Sequence, residues 1–300
     1  MMRSMFAAIS GLKSHQTMLD VTANDIANVN TIGYKSARTT FKDSLSQLQR
    51  GGAAGNTIQG GANPAQVGLG VQLSSIDNVM TAGTFQSTGN PQDVAIQGEG
   101  FFVISPTEAG AGGTWPTGSA APAGSAPPAG SQYTRAGNFT VNSAGQLVTQ
   151  DGFFAVGYAV NRNTPPTADT INTSNIAPIT IESGGTNLAI GQDGTVSYLD
   201  ANNNRRLAGQ LMLASFPNAG GLQRMSGNRW AGSPASGAGS VGAPLSGSFG
   251  PAVSGVVEMS NVDLSQSFTQ MITAQRGFQA NSRVISASDE MLQDLVNLKR

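Results

Sequence analysis

The sequence predicts an α+β protein. The central domain is expected to be rich in β-strands, as an irregular sandwich or barrel, and the N- and C-terminal amphipathic helices are expected to form a coiled-coil domain. Three observations support this class. Apolar residues recur in 4-3 steps near both ends, short runs alternate with period two in the middle, and Gly, Asn and Asp residues separate those runs.

The C-terminal segment 260–300 carries the clearest helical pattern. An apolar seam repeats every 3.5 residues from Leu264, which is typical of a helix that hides one face against another helix. Asp263 followed by Gln266 resembles an N-terminal cap, so the helix is expected to begin near Asp263. Only Gly277 opposes the helix, at about 1 kcal/mol relative to Ala in a helix interior.

The N-terminal segment 2–28 repeats the 4-3 spacing and is the expected helical partner. A pair of helices buries too little apolar surface to be firmly stable in water. We therefore expect the seam to dock on the middle of the chain or to be completed by other copies of the chain. The candidate assembly interface consists of Met5, Ile9, Leu12, Leu19, Ile26, Leu264, Phe268, Met271, Phe278, Ile285, Leu292 and Val296.

Changes in spacing divide the chain into five parts. Gly33 is predicted to be left-handed and to stop the first helix, and a second short helical pattern follows at 39–49. From Val67 the spacing changes to that of a strand. The predicted parts are an N-terminal helical part at 1–50, an extended linker at 51–85, the central β domain at 86–235, a return linker at 236–259 and the C-terminal helix at 260–300.

The central domain is predicted to contain short strands joined by tight turns. One such connection is the Gly98-Glu99-Gly100 sequence. The segment 109–131 is made of Gly, Ala, Pro, Ser and Thr around one Trp, and it is expected to be a flexible insertion. The predicted strands lie at 93–97, 101–104, 133–141, 146–149, 153–160, 176–181, 188–190, 195–199 and 209–216.

The composition of the 300 residues limits the partners. Charged residues make up 11%, against roughly 25% in average usage, and the formal net charge is −1. No Lys or Arg occurs between residues 51 and 134, which argues against a nucleic-acid partner. A surface of Ser, Thr, Asn, Gln and Gly packs easily against neighbours, so the low charge favours assembly.

The residue types for common catalytic and metal chemistry are scarce. There is no Cys and only one His, His15, which argues against thiolate metal sites and Ser-His-Asp catalysis. Asp151, Asp193 and Asp200 stand in turn sequences, where their side chains bond their own backbone. We expect no enzymatic activity, no cofactor and no metal.

No apolar run reaches the 18 or so residues that a membrane span needs, so membrane insertion is not expected. The first residues also lack the apolar region of a cleaved signal peptide. If the protein leaves the cytoplasm, another export route is expected.

Several long motifs resemble those of bacterial flagellar axial proteins, the rod and hook subunits. They occur in the family's order and cover both ends and much of the middle. One departure is Asp25, where the family usually has Asn. The motifs are LDVTANDIANVNTIGYKS at 19–36, VGLGV at 67–71, DVAIQGEGFF at 93–102, YTRAGNF at 133–139, SNVDL at 260–264 and AQRGFQAN at 274–281.

Within this family the ending SDEMLQDLVNLK at 288–299 is similar to hook protein. A typical hook subunit carries an outer β domain, and only 161–175 stands at its place here, so that domain is expected to be absent or reduced. The resemblance then implies a homopolymeric helical tube, outside the cell, that couples rod and filament for motility. It also implies contacts with rod, hook-cap and hook–filament junction proteins, and unfolded export through the flagellar type III apparatus.

Three other functions remain open from the sequence. A distal rod subunit of the basal body is similar at both ends and usually shorter than a hook subunit. A secreted β-domain adhesin or binding module would keep the β-rich middle, but it would leave the amphipathic ends unexplained. A hydrolase on a β scaffold would need a convergent acid–base cluster.

Overall fold

The computed structural model describes residues 2–52, 54–55, 60–107, 127–128, 130–161, 169–182 and 184–298. It is α+β, with 24% helix and 38% strand, as predicted. The chain forms two compact units. The helical unit comprises Met1–Asn28, Ala37–Val79 and Val262–Arg300, and the β unit comprises Val29–Ser36 and Met80–Asn261.

The helical unit contains the two predicted terminal helices, α1 (Met2–Ala27) and α2 (Leu264–Leu298). Asp263 caps α2, because its Oδ1 accepts the backbone N–H of Gln266 at 3.1 Å, as predicted. Gly33 is left-handed, with φ of 68°, but it lies beyond the turn that follows α1 and does not cap the helix.

Four strands complete the helical unit, and here the prediction of a second helix at 39–49 is wrong. The strands are β1 (Ala37–Asp43), β2 (Ser46–Arg50), β3 (Ala65–Gly68) and β4 (Val71–Asn78). β1 pairs with β4 and β2 with β3, both antiparallel, so the segments form one long ribbon. The predicted linker 51–85 therefore contributes two strands to this ribbon. The 4-3 spacing of Phe41, Leu45 and Leu48 also fits strands with bulges, and long-range pairing with residues 65–78 decides between the two.

The β unit is built from short antiparallel strands. Thirteen of them form one branched sheet, and two further pairs are β6 with β20 and β5 with β21. The strands are β5 (Phe85–Ser87), β6 (Val94–Ile96), β7 (Phe101–Ser105), β8 (Gln132–Thr134), β9 (Phe139–Val141), β10 (Leu147–Thr149), β11 (Phe154–Asn161), β12 (Thr170–Pro178), β13 (Thr186–Ile190), β14 (Thr195–Leu199), β15 (Arg205–Leu211), β16 (Leu213–Ser215), β17 (Gln223–Arg224), β18 (Arg229–Ala231), β19 (Ser240–Gly242), β20 (Ala252–Ser254) and β21 (Val256–Glu258).

Each predicted central strand overlaps an observed one, because local alternation of apolar residues marks it. The predicted return linker 236–259 instead carries β19, β20 and β21, which pair with β16, β6 and β5. These pairings join residues far apart in the chain, and the Gly-rich sequence around them gives little local signal.

The core of the β unit lies on both faces of its sheet. Along β7, Phe101 and Val103 belong to one buried cluster and Phe102 to the other, since successive side chains of a strand point to opposite faces. Trp230 is buried in the cluster of Phe101. A sheet covered on both faces agrees with the predicted β-rich domain.

Two predictions concern segments that lie partly outside the described residues. They are the flexible insertion at 109–131 and the reduced outer domain at 161–175, where β11 ends at Asn161 and β12 begins at Thr170.

Candidate assembly surface

The two terminal helices pack against each other, as predicted, and the approach of Gly11 to Asn281 and of Gly277 to His15 shows that they run antiparallel. A Cβ added at Gly11 would lie 2.6 Å from Asn281 Nδ2, and one added at Gly277 would lie 2.5 Å from His15 Nε2. Glycine at these two positions therefore leaves room for the Asn281 and His15 side chains. Gly277 disfavours the helix locally, but its missing side chain leaves this room for His15.

The buried positions of the two helices form a stripe of small and polar side chains, which does not include the apolar seam. This stripe consists of Ala8, Gly11, Ser14, Thr22 and Asp25 on α1 and of Ser267, Ala274 and Ser288 on α2. Small residues let two helix backbones approach closely. The contact between α1 and α2 therefore leaves most large apolar side chains of α2 unburied.

The predicted interface residues lie beside this stripe, and none of the twelve is buried. Exposed positions are Leu264, Phe268, Phe278 and Val296. Half-buried positions are Met5, Ile9, Leu12, Leu19, Ile26, Met271, Ile285 and Leu292.

A larger exposed apolar surface runs along α2. We call it the α2 apolar surface, and it consists of Leu264, Phe268, Ile272, Phe278, Val284, Met291, Leu295, Val296 and Leu298. The register that pairs Gly11 with Asn281 and His15 with Gly277 places the first residues of α1 opposite the region of Glu290, so the last turns of α2 extend past α1. Many large exposed apolar side chains on one helix indicate an interaction site.

The ribbon adds a second exposed apolar surface, which the sequence did not reveal. Its side chains are Phe41, Leu45, Leu48, Val67, Leu69, Leu73 and Ile76. A two-stranded ribbon is at best marginally stable alone in water. The sequence did show apolar residues at every second position, which indicates a strand, but this pattern did not identify the partner strand. The residues are Val67, Leu69, Val71 and Leu73.

Two hydrogen-bonded contacts attach the ribbon to α1. The Oγ of Ser10 accepts the backbone N–H of Val71 at 3.2 Å. The carboxylate of Asp25 accepts the backbone N–H of Ala37, at 3.2 Å to each oxygen. Asp25 is 5% exposed, so this departure from the family's usual Asn stands at a buried backbone contact, in which the side chain acts as acceptor.

The described residues hold no group of three or more His, Asp or Glu side chains that is placed to bind a metal ion. Nor does any helix among them have the length and apolarity to cross a membrane.

Family models match three parts of the chain. Residues 5–35 match "Flagella basal body rod protein" and residues 253–298 match "Flagellar basal body rod FlgEFG protein C-terminal". Residues 125–198 match "Flagellar hook protein FlgE/F/G D1 domain". The two terminal matches cover most of the paired helices.

Curated relatives align over the whole chain. The flagellar basal-body rod protein FlgG of Bacillus subtilis is 42% identical over 301 residues, which cover 100% of both chains. The protein of the same name from Agrobacterium fabrum is 38% identical and covers 97% of both chains. The flagellar hook protein FlgE of Borreliella burgdorferi is 29% identical over 441 residues, covering 100% of both chains.

These alignments include both ends of the chain, where the paired helices lie. Full-length identity of 42% goes well beyond a shared fold. The chain therefore belongs to the bacterial flagellar axial protein family, whose members are structural subunits of the rod and hook.

Proposed function

We propose that the chain is a distal rod subunit of the flagellar basal body. The alignment with rod proteins supports this most directly, because it spans 301 positions for a chain of 300 residues. The alignment with a hook protein spans 441 positions, so that hook protein carries inserted residues that this chain lacks.

The hook, which the sequence motifs favour, is therefore the less well supported function. The sequence SDEMLQDLVNLK at 288–299 lies in α2 as far as residue 298, in a region that rod and hook proteins share, so it discriminates poorly between them. The segment 161–175 is too short for an outer domain. This fits a rod subunit directly, whereas a hook subunit would have to have lost its outer domain.

In this proposal the subunits polymerise through the helical unit. The α2 apolar surface and the ribbon surface are covered by neighbouring copies, and the twelve predicted interface residues take part. A contact between different patches on successive copies does not close, so it builds a helical tube. Other axial proteins continue the tube at its two ends.

The proposed role is mechanical and involves no catalysis. The subunit reaches the growing tube through the flagellar export apparatus and works outside the cytoplasm. The membership in a structural family and the exposed apolar surfaces of the helical unit support this proposal.

Immunogold electron microscopy of isolated hook–basal bodies tests the assignment. Antibodies against the β unit should label the rod between the membrane rings and leave the curved hook unlabelled. Label on the hook alone would overturn the rod assignment and restore the hook. Absence of label from both structures would remove the axial role in the source bacterium.

A further inference from the structure

The chain passes between the helical unit and the β unit four times, so each of these four connections has one end in the β unit. The passages lie at residues 28–29, 36–37, 79–80 and 261–262. Inside the β unit they lead to three segments, 29–36, the residues after 80, and the residues before 261.

A buried ion cluster, Lys35, Arg135 and Glu258, joins these three segments. Lys35 Nζ lies 2.6 Å from Glu258 Oε1, and Arg135 Nη1 lies 3.2 Å from Glu258 Oε2, with all three side chains at most 4% exposed. Lys35 Nζ also donates to the carbonyl of Thr81 at 2.7 Å, and the N–H of Gly83 donates to Glu258 Oε1 at 2.9 Å. The Glu258 carboxylate belongs to the segment before 261 and contacts Lys35 and Gly83, which belong to the other two segments.

Further hydrogen bonds tie the same segments together. The N–H of Gly33 donates to the carbonyl of Glu258 at 2.8 Å, and the N–H of Ser36 donates to Asn261 Oδ1 at 2.8 Å. Asn261 Nδ2 donates in turn to Thr81, at 3.2 Å to its carbonyl and 3.1 Å to its Oγ1. No segment can leave this arrangement without removing a partner from the others.

Removing one member of such a cluster leaves an uncompensated buried charge, which is far more costly than losing an exposed ion pair. Burial lowers the pKa of Lys35, and the adjacent Glu258 carboxylate acts in the opposite direction. Burial likewise lowers the pKa of Arg135, against the effect of Glu258. The Glu258 carboxylate is thus shared by two buried cations, so the loss of any one member leaves a buried charge without its partner.

The helical unit, in contrast, is poorly stabilised within one subunit. Its two helices meet through small residues, and its ribbon exposes most of its apolar side chains. Such elements open locally at low free-energy cost. We propose that the buried ion cluster is the boundary at which local unfolding of the helical unit stops, so that the β unit of an unassembled subunit stays folded while the terminal helices open and close.

Hydrogen–deuterium exchange of the monomeric full chain tests this boundary. In the wild type, α1, α2 and the ribbon should exchange fast, and protection should begin within 29–36 and 80–87 and end near 261. In Glu258→Gln, which keeps the shape but removes the charge, the amides of these three segments should exchange about tenfold faster or more. The amides of β7 and β11 should keep their wild-type rates.

Two further variants make each outcome decisive. Asp151→Asn removes a carboxylate from an exposed pair with Arg229 in the same unit, and it should leave the three segments unchanged. Asn261→Ala removes bonds to Ser36 and Thr81 without changing a charge, and should give the same pattern at smaller size. If Glu258→Gln does not fold, Asn261→Ala takes its place in the test.

Three results would overturn the proposal. The first is exchange in the segments that is unchanged in both Glu258→Gln and Asn261→Ala. The second is acceleration of β7 and β11 by the same factor as the segments, which would mean general stabilisation without a boundary. The third is a wild type whose backbone amides are equally protected from exchange in the two helices and in the three segments.

Discussion

Gly33 stands at a place where two backbone segments of the β unit touch. Its φ of 68° is left-handed, and a Cβ there would lie 2.6 Å from the backbone nitrogen of Ala136. Conformational strain and a backbone clash therefore act at the same residue. The sequence predicted the left-handed conformation correctly, but only the structure gives the close approach.

The substitution Gly33→Ala should destabilise the β unit by about 3 kcal/mol or more, because strain adds to a clash that a backbone cannot relieve. Gly152→Ala is the matched control, since Gly152 is also left-handed, at φ of 80°, with no atom within 4 Å of an added Cβ. It should cost about 1 kcal/mol. Thermal unfolding followed by tryptophan fluorescence measures both, and equal losses would disprove the close approach.

Tyr133 should make the β unit sensitive to alkaline pH. Burial raises the pKa of Tyr133 to about 12 from 10.0. The folded protein then keeps a proton that an unfolded chain releases above pH 10. The stability from this group is fully present below pH 10 and is lost as the pH rises towards about 12.

Between pH 9 and pH 11.5 the wild type should lose about 2 kcal/mol more unfolding free energy than Tyr133→Phe. Urea unfolding at the two pH values measures the difference. Because both chains share every other titrating group, the comparison isolates this phenol. A Tyr133→Phe variant with the same or a steeper loss would show that Tyr133 ionises normally in the folded chain.

At the scale of elements, the sequence predicted what local spacing encodes. Both terminal helices, the Asp263 cap and the central strands follow from patterns within a few residues. The ribbon was missed because its paired residues lie 15 to 41 positions apart in the chain, and Phe41, Leu45 and Leu48 satisfy a helical spacing as well. The buried contact of the helices was also missed, since small residues such as Ala8 and Ala274 carry no hydrophobic signal.

The exposed face of the ribbon should contribute to assembly and little to folding. Leu48 on β2 is 56% exposed, and burying a Leu against a neighbouring copy would contribute about 1.5–3 kcal/mol. Leu48→Lys should therefore raise the concentration needed for polymerisation by about tenfold or more. Its far-UV circular dichroism as a monomer should match the wild type.

The neighbouring substitution Gln47→Lys adds the same charge in the same strand, and it should polymerise at nearly the wild-type concentration. Light scattering against protein concentration measures each threshold. Equal thresholds for Leu48→Lys and Gln47→Lys would mean that the ribbon does not pack against another subunit through this side chain.

At the scale of the whole molecule, the chain combines a unit with a covered core and a unit that exposes its apolar residues. The β unit has two buried clusters of its own. The helical unit exposes the α2 apolar surface and the ribbon surface. The buried ion cluster could not be predicted from the sequence, because Lys35, Arg135 and Glu258 lie about 100 residues or more apart with no local pattern to join them.

Sequence reasoning also chose Ile285 as a central interface residue. It is half-buried in the single subunit, so a substitution there would disturb both the subunit and its assembly. Phe268 on α2 is 50% exposed, so a substitution there should affect assembly without disturbing the fold of the single subunit. Phe and Asp have similar helix propensities, so Phe268→Asp should not weaken α2 itself.

Negative-stain electron microscopy of Phe268→Asp under polymerising conditions therefore tests most directly whether the α2 apolar surface is an assembly surface. The wild type and the control Thr269→Asp should form tubes. Phe268→Asp should remain monomeric at the same concentration with unchanged circular dichroism, because a charge replaces an apolar contact in every subunit. Tubes of Phe268→Asp that form as readily as those of the wild type would contradict this account.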